Sequence, residues 1–166
     1  MSSITAVLQP SGDTVALRAI GPDDERPSVQ TSWEDWGDVD PAAAPADLQR
    51  WAVEWTHQGR TVVAGHLSAH SVWYGPSPGS RAMNIGISLV EEARGRGVGS
   101  MAQQLLAEHL HQRGIVRVEA STDVANTAEQ AALRRAGFSL EGVLRQAQGR
   151  RDGQHDLQMW SHISTP

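Results

Sequence analysis

A chain of 166 residues is long enough for one self-sufficient core, and its 39% hydrophobic and 20% charged residues are those of an ordinary globule. It has no cysteine, which excludes disulfides, thiolate metal sites and cysteine nucleophiles. The net charge is −5 and every basic residue is Arg; residues 1–75 hold 10 acids and 4 Arg, residues 76–166 hold 9 acids and 10 Arg, which argues against nucleic acid, whose phosphates need clustered cations.

That uneven charge suits an anionic ligand on the second half and a cationic one on the first. No apolar run approaches the ~18 residues of a membrane span. The first ten residues lack a cationic stretch followed by an apolar one, so the expectation is a cytoplasmic protein with no membrane partner.

In chain order, residues 14–20 alternate Val15, Leu17 and Ala19 against Ala16, Arg18 and Ile20, the period of a strand. Residues 21–39 are acidic with two tryptophans and poor periodicity, an excursion with a short helix or two, and residues 38–47 are a loop rich in Ala, Pro and Asp. Residues 51–56 alternate again as a strand. Residues 61–74 are β-branched and aromatic, end at the turn cluster Gly75-Pro76-Ser77-Pro78-Gly79, and pair with residues 82–90 as a hairpin. Taking that hairpin as symmetric about Pro78 sets Tyr74 against Ala82 and His70 against Gly86.

Val98, Ala102, Leu105, Leu106 and Leu110 recur at helical spacing, so residues 97–113 read as a helix with Gly114 as its cap glycine. Residues 115–121 alternate as a strand. Asn126 followed by Glu129 resembles a capping box, and Gly137 stops that second helix. Residues 138–146 and 153–163 are two more strands joined at 149–152. The sum is an α+β fold in one domain over residues 1–166, with a mixed sheet and one parallel crossover. Trp51, Trp55, Trp73 and Trp160 fall in strands and are expected in the core.

Chemistry concentrates at the crossover. Arg94-Gly95-Arg96-Gly97-Val98-Gly99-Ser100 lies between a strand and a helix N-terminus. Closely spaced glycines turn the backbone sharply and bare its N–H groups, and the helix end adds unpaired donors and a positive dipole. Such a segment cradles a pyrophosphate, although glycines alone are equally those of a flexible loop. A Walker A loop is excluded because there is no Lys. A dinucleotide fingerprint on Gly97, Gly99, Ala102 and Glu119 is opposed by the six residues between Val90 and Gly97.

Arg94-Gly95-Arg96-Gly97-Val98-Gly99 matches every fixed position of the Arg/Gln-x-x-Gly-x-Gly/Ala pattern that follows the fourth strand of the GNAT superfamily of acyl-CoA-dependent N-acetyltransferases. Asn126 stands before Gly137-Phe138 at the spacing of a second family segment. Asn84-Ile85-Gly86-Ile87-Ser88-Leu89 is similar to the Glu-Ile-Gly-Tyr-Trp-Leu stretch of the branch containing the ribosomal-protein N-terminal acetyltransferases. The resemblance covers about residues 14–163. It implies a GNAT-like mixed, mostly antiparallel sheet of about seven strands flanked by helices, with splayed central strands. It also implies acetyl-CoA as co-substrate. Backbone groups of Gly95, Gly97, Gly99 and Ser100 would hold its pyrophosphate together with Arg94, Arg96 and Val98. Leu89 and Val90 would pair with its pantetheine arm, and Asn126 would touch it further along.

Two departures stand out. Many members place a Tyr acid seven residues after that Asn, where this chain has Leu133. The related branch often has a Glu base where this chain has Asn84. Asn84, Gly86 and Ser88 share one strand face, opposite Met83, Ile85, Ile87 and Leu89. With His70 opposite on the same face, His70, Asn84 and Ser88 are the candidate catalytic residues, His70 as base or as an ordinary sheet histidine. His66 and His70 lack an evident third metal ligand, so no metal is expected. Trp33, Glu34, Asp35 and Trp36 either receive a cationic amine or form a packed turn with a solvated acidic rim. The reading is transfer of acetyl to a primary amine, a protein N-terminus or a small cationic metabolite or antibiotic, with a homodimer left open. The alternative is a non-catalytic acyl-CoA-binding or sensing domain.

Overall fold

The computed structural model describes residues 4–7, 11–21, 29 and 31–164. Eight strands form one sheet in the order β1-β2-β3-β4-β5-β6-β8-β7: β1 Ile4–Val7, β2 Thr14–Ala19, β3 Gln49–His57, β4 Arg60–Trp73, β5 Arg81–Leu89, β6 Arg117–Asp123, β7 Ser139–Arg150 and β8 Gly153–Ile163. All neighbours are antiparallel except β5 and β6. The crossover between those two is α1, Val98–Gln112, and α2, Thr127–Arg135, joins β6 to β7. The expected strands and helices are therefore present. β1 is additional: a four-residue edge strand of half-buried and exposed residues leaves too little periodicity to be read from the sequence.

The core lies between the sheet and α1. Val15, Leu17, Val53, Leu67 and Met83 on the strands meet Val98, Ala102, Leu106 and Leu110 on the helix, all at most 2% exposed. A fully buried Leu of this kind contributes about 2–3 kcal/mol. Trp51, Trp55 and Trp160 are buried as expected, but Trp73 is 57% exposed. It is the last residue of β4, at the tip of the β4–β5 hairpin, where it pairs with Arg81, the first residue of β5.

The hairpin register also differs from the symmetric estimate. His70 pairs with Asn84 and Val72 with Ala82, so the centre lies at Ser77, not Pro78. Tyr74 N–H donates to Ser80 O and a 3₁₀ turn occupies Pro78–Ser80, closed by Ser80 N–H to Ser77 O. The connection is thereby shifted one residue toward the N-terminus, over residues 74–80 instead of 75–81. Because the slip changes each partner by two residues, His70 keeps the face of Asn84 and Ser88.

Two features prepare the site. On β4 one residue, Ala64, is extra between the pairs Val53↔Gly65 and Glu54↔Val63. This bulge bends β4 beside the end of β5. Second, β5 and β6 pair only from Ala82↔Arg117 to Ile85↔Ala120. Beyond Ile85 the strands part, as splayed central strands would.

Candidate active site

The parted strands open into a cleft of about 490 Å³. Gly86–Leu89 of β5 form one wall and Ala120–Asp123 of β6 the other, with α2 beyond. Thr31, Trp33, Glu34 and Trp36 close it from the excursion, and Gln148 and Arg150 close it from β7. In this stretch the edge of β5 that faces β6 has no strand partner, so its backbone groups are offered to whatever enters.

At one end stands the glycine loop. Gly95 and Gly97 adopt φ of 68° and 82°, and Gly97 is the cap residue of α1 with no side-chain cap bond. The first helical bond runs from Met101 N–H to Gly97 O, so the N–H groups of Val98, Gly99 and Ser100 have no acceptor within the helix. A Cβ at Gly99 would sit 3.3 Å from Leu89 Cδ1. The loop is braced from outside: Arg94 Nε donates to Leu89 O at 2.9 Å and Arg96 Nε to Glu92 O at 2.8 Å, while the Arg96 guanidinium lies 5.7 Å from the Trp55 ring centroid. The result is a ring of donors at a positive helix end, able to hold a diphosphate.

Leu89, Arg94, Gly95, Gly97, Gly99, Ser100 and Asn126 line the cleft. Val90, Arg96 and Val98 lie outside the lining; Val90 N–H is used on Ala64 O, and Val98 is fully buried. Asn126 caps α2, its Oδ1 accepting from Glu129 N–H at 3.2 Å.

At the other end Ser88, 7% exposed, donates through Oγ to Glu34 Oε1 at 2.7 Å. The fold thus joins a residue of the excursion to the cleft face of β5. Glu34 sits in a 3₁₀ turn capped by Thr31, whose Oγ1 accepts from Trp33 N–H. Trp33 and Trp36 line the cleft, but Asp35 turns away: its carboxylate pairs with Arg151 Nε at 3.0 Å, and its carbonyl accepts from Arg151 N–H. Asn84 lines the cleft, whereas its ladder partner His70 is not among the lining residues. Leu133 is fully buried in the core, so no acid acts from that position.

Sequence reading missed two parts. Asp123 and Arg150, each with a side chain 4% exposed, pair at 2.9 Å in the cleft wall. Burial pushes the Asp123 carboxyl up, but the Ala125 N–H, His155 and Arg150 outweigh it and hold it below the usual carboxylate range. Glu129, in the first turn of α2, also lines the cleft, and burial pushes its carboxyl up to about 7 against a hydrogen bond from Gln103. For Glu129 the spacing from Asn126 was a signal, although it pointed to a cap. For Arg150 and Asp123 there was none, since only the β6-β8-β7 order brings them together. Among the described residues no group of three His, Cys, Asp or Glu could hold a metal, and no helix is long and apolar enough to cross a membrane.

Residues 11–139 match the family model of the acetyltransferase (GNAT) domain. Among solved structures, the Salmonella typhimurium acetyl transferase described as modifying the N-terminal serine of ribosomal protein L7/L12 is 31% identical. The match covers 71% of this chain and 64% of that one, with a TM-score of 0.57. RimL, the ribosomal L7/L12 alpha-N-protein acetyltransferase in complex with coenzyme A, is 32% identical over 70% of this chain and 62% of its own, with a TM-score of 0.58. The ribosomal-protein-alanine N-acetyltransferase of Brucella melitensis, 24% identical over 70% of this chain and 69% of its own at a TM-score of 0.57, shares the fold. This chain spans less than two thirds of the length of the first two. No curated protein sequence matches it.

Proposed function

The chain belongs to the GNAT acetyltransferase family, and from that premise we propose that it acts as one domain that moves an acetyl group from acetyl-CoA to a primary amine, by direct attack with both substrates bound. The observation that carries this reading is the parting of β5 and β6 directly ahead of a glycine loop whose helix-end N–H groups have no helical acceptor. The thioester supplies the activated acetyl group when acetyl-CoA is bound. Gly95, Gly97, Gly99 and Ser100 hold the diphosphate, with Arg94 bracing the loop. The open edge at Gly86–Leu89 aligns the extended arm by backbone bonds, and Asn126 meets the cofactor beyond the diphosphate.

The acceptor enters beneath Trp33 and Trp36. Ser88 Oγ donates to Glu34, which leaves its lone pairs to accept from the incoming amine. Ser88 takes the amine's proton and passes its own to Glu34 Oε1, which leaves a neutral nucleophile. Asn84, an amide, orients the acceptor and takes no proton. His70 stands behind Asn84 on β4 and outside the lining; as base it would act through that neighbour. The L7/L12 enzymes support an N-terminal α-amine as acceptor, and the acidic first half of the chain is the argument for a small cationic amine.

Thiol release from acetyl-CoA, measured across peptides with free N-termini, polyamines and aminoglycosides, tests the proposal. Acetyl-CoA binding with no release for any amine supports instead the non-catalytic acyl-CoA-binding domain, which buried Leu133 and the amide at Asn84 favour.

A further inference from the structure

The Arg150 guanidinium is placed in the cleft more firmly than folding requires. Its side chain is 4% exposed, and a buried ion pair seldom stabilises a fold more than apolar side chains would. Nη1 forms an ion pair with Asp123 Oδ2 at 2.9 Å, Nε and Nη2 donate to Gln148 Oε1 at 2.9 and 2.6 Å, and Cζ lies 5.7 Å from the Trp33 ring centroid. Asp123 is itself fixed, by Ala125 N–H at 2.7 Å and by His155 Nδ1 at 2.8 Å. A guanidinium has five N–H bonds. Two are hydrogen-bonded, both to Gln148, and among the described residues no hydrogen bond takes the two on Nη1 or the second on Nη2.

We propose that Arg150 is the residue that selects the acceptor, gripping with its spare Nη N–H groups the carbonyl oxygen beside an α-amine, so that the acceptor is the N-terminal residue of a peptide. This rests on the transfer reading above and names its substrate class. A fixed cation in the wall repels polyamines and other simple cations. It also favours the neutral, nucleophilic form of an amine held beside it. A carbonyl oxygen one carbon from the amine gives the guanidinium an uncharged partner at a set distance. Trp33 then serves two purposes, packing on Arg150 and covering the acceptor's first side chain, while Glu34 next to it reaches the amine through Ser88.

The test compares a serine-starting tripeptide amide with the analogue whose first carbonyl is a methylene, at equal concentrations of neutral amine, together with free serine and a polyamine. Wild-type kcat/KM is expected to fall about 10–100-fold on loss of the carbonyl, the value of one hydrogen bond to a charged group. Arg150→Met combined with Asp123→Asn removes both buried charges. It is expected to lower kcat/KM for the tripeptide about 10–100-fold more than for the methylene analogue, with the acetyl-CoA Kd unchanged. Equal losses on both substrates overturn the proposal, because a structural role would do the same. So does a wild type that treats the two alike, or one that prefers the polyamine or free serine. If the double variant does not fold, the wild-type comparison decides by itself. Failure to acetylate any amine overturns the transfer reading as well, whereas turnover of amines regardless of the carbonyl overturns this inference alone.

Discussion

Glu129 keeps its proton where most carboxylates have lost theirs. Its ordinary value is 4.5 and burial raises it to about 7. Between those values the native chain binds more protons than the unfolded one, so stability falls as pH rises from about 4.5 to about 7 and levels off above. Glu129→Gln keeps a partner for Gln103 and removes this term. In urea unfolding the stability difference between pH 5 and pH 7.5 should narrow by about 2–3 kcal/mol relative to wild type; parallel curves would contradict the assignment. Ser88 and Glu34 give the second prediction at this scale. Ser88→Ala and Glu34→Gln should each lower kcat by ~10²–10⁴-fold if proton transfer limits the rate, with acetyl-CoA affinity intact by calorimetry. A loss confined to the acetyl-CoA Kd would move both residues out of the acceptor end. The sequence showed Ser88 and Glu34 as separate candidates, because alternation along one strand identifies a face. It could not join them, since the contact spans the sheet and an aperiodic turn. The same limit hid Arg150, whose partners are set by strand order.

At the scale of the element, Gly65 shows how the cleft is built. It lies beside the bulged Ala64, with φ of 153°, and a Cβ there would fall 2.0 Å from Ser88 O and 2.8 Å from Leu89 Cα. Both are backbone atoms of the cleft wall, so no side chain can yield. Gly65→Ala should cost on the order of 2–4 kcal/mol in denaturant unfolding, within the range of strained or overpacked sites, and should weaken acetyl-CoA binding by displacing β5. Gly142→Ala on β7, which meets nothing within 4 Å, is the control. An unchanged midpoint for Gly65→Ala would contradict the close approach. The glycine loop was legible in the sequence because its chemistry is local: spacing, charge and a helix start all lie within a few residues. The hairpin register was not, because Pro76 and Pro78 mark a turn without fixing where its centre lies.

Over the whole molecule, one topological choice creates the site. Six antiparallel pairings build the rest of the sheet, but the parallel step through α1 brings β6 beside β5 for only four residue pairs. The helix that makes this crossover begins at the open end of the strands, so its donors face the gap it produced. Alternation, cap residues and glycine positions were enough to place the strands along the chain and the crossover between them, but not the β6-β8-β7 order in the sheet. The length of the splay depends on the bulge and on packing across the sheet, which no local pattern encodes. The central claim is that this gap and loop form one acetyl-CoA site. Isothermal calorimetry of acetyl-CoA against wild type and Gly97→Val, whose residue 97 must hold φ near 82°, tests it most directly. The account predicts one site per chain in the wild type and an affinity more than tenfold weaker, about 1.4 kcal/mol, in a variant that still unfolds cooperatively. Equal affinity in a folded Gly97→Val, or no binding by the wild type, would contradict it.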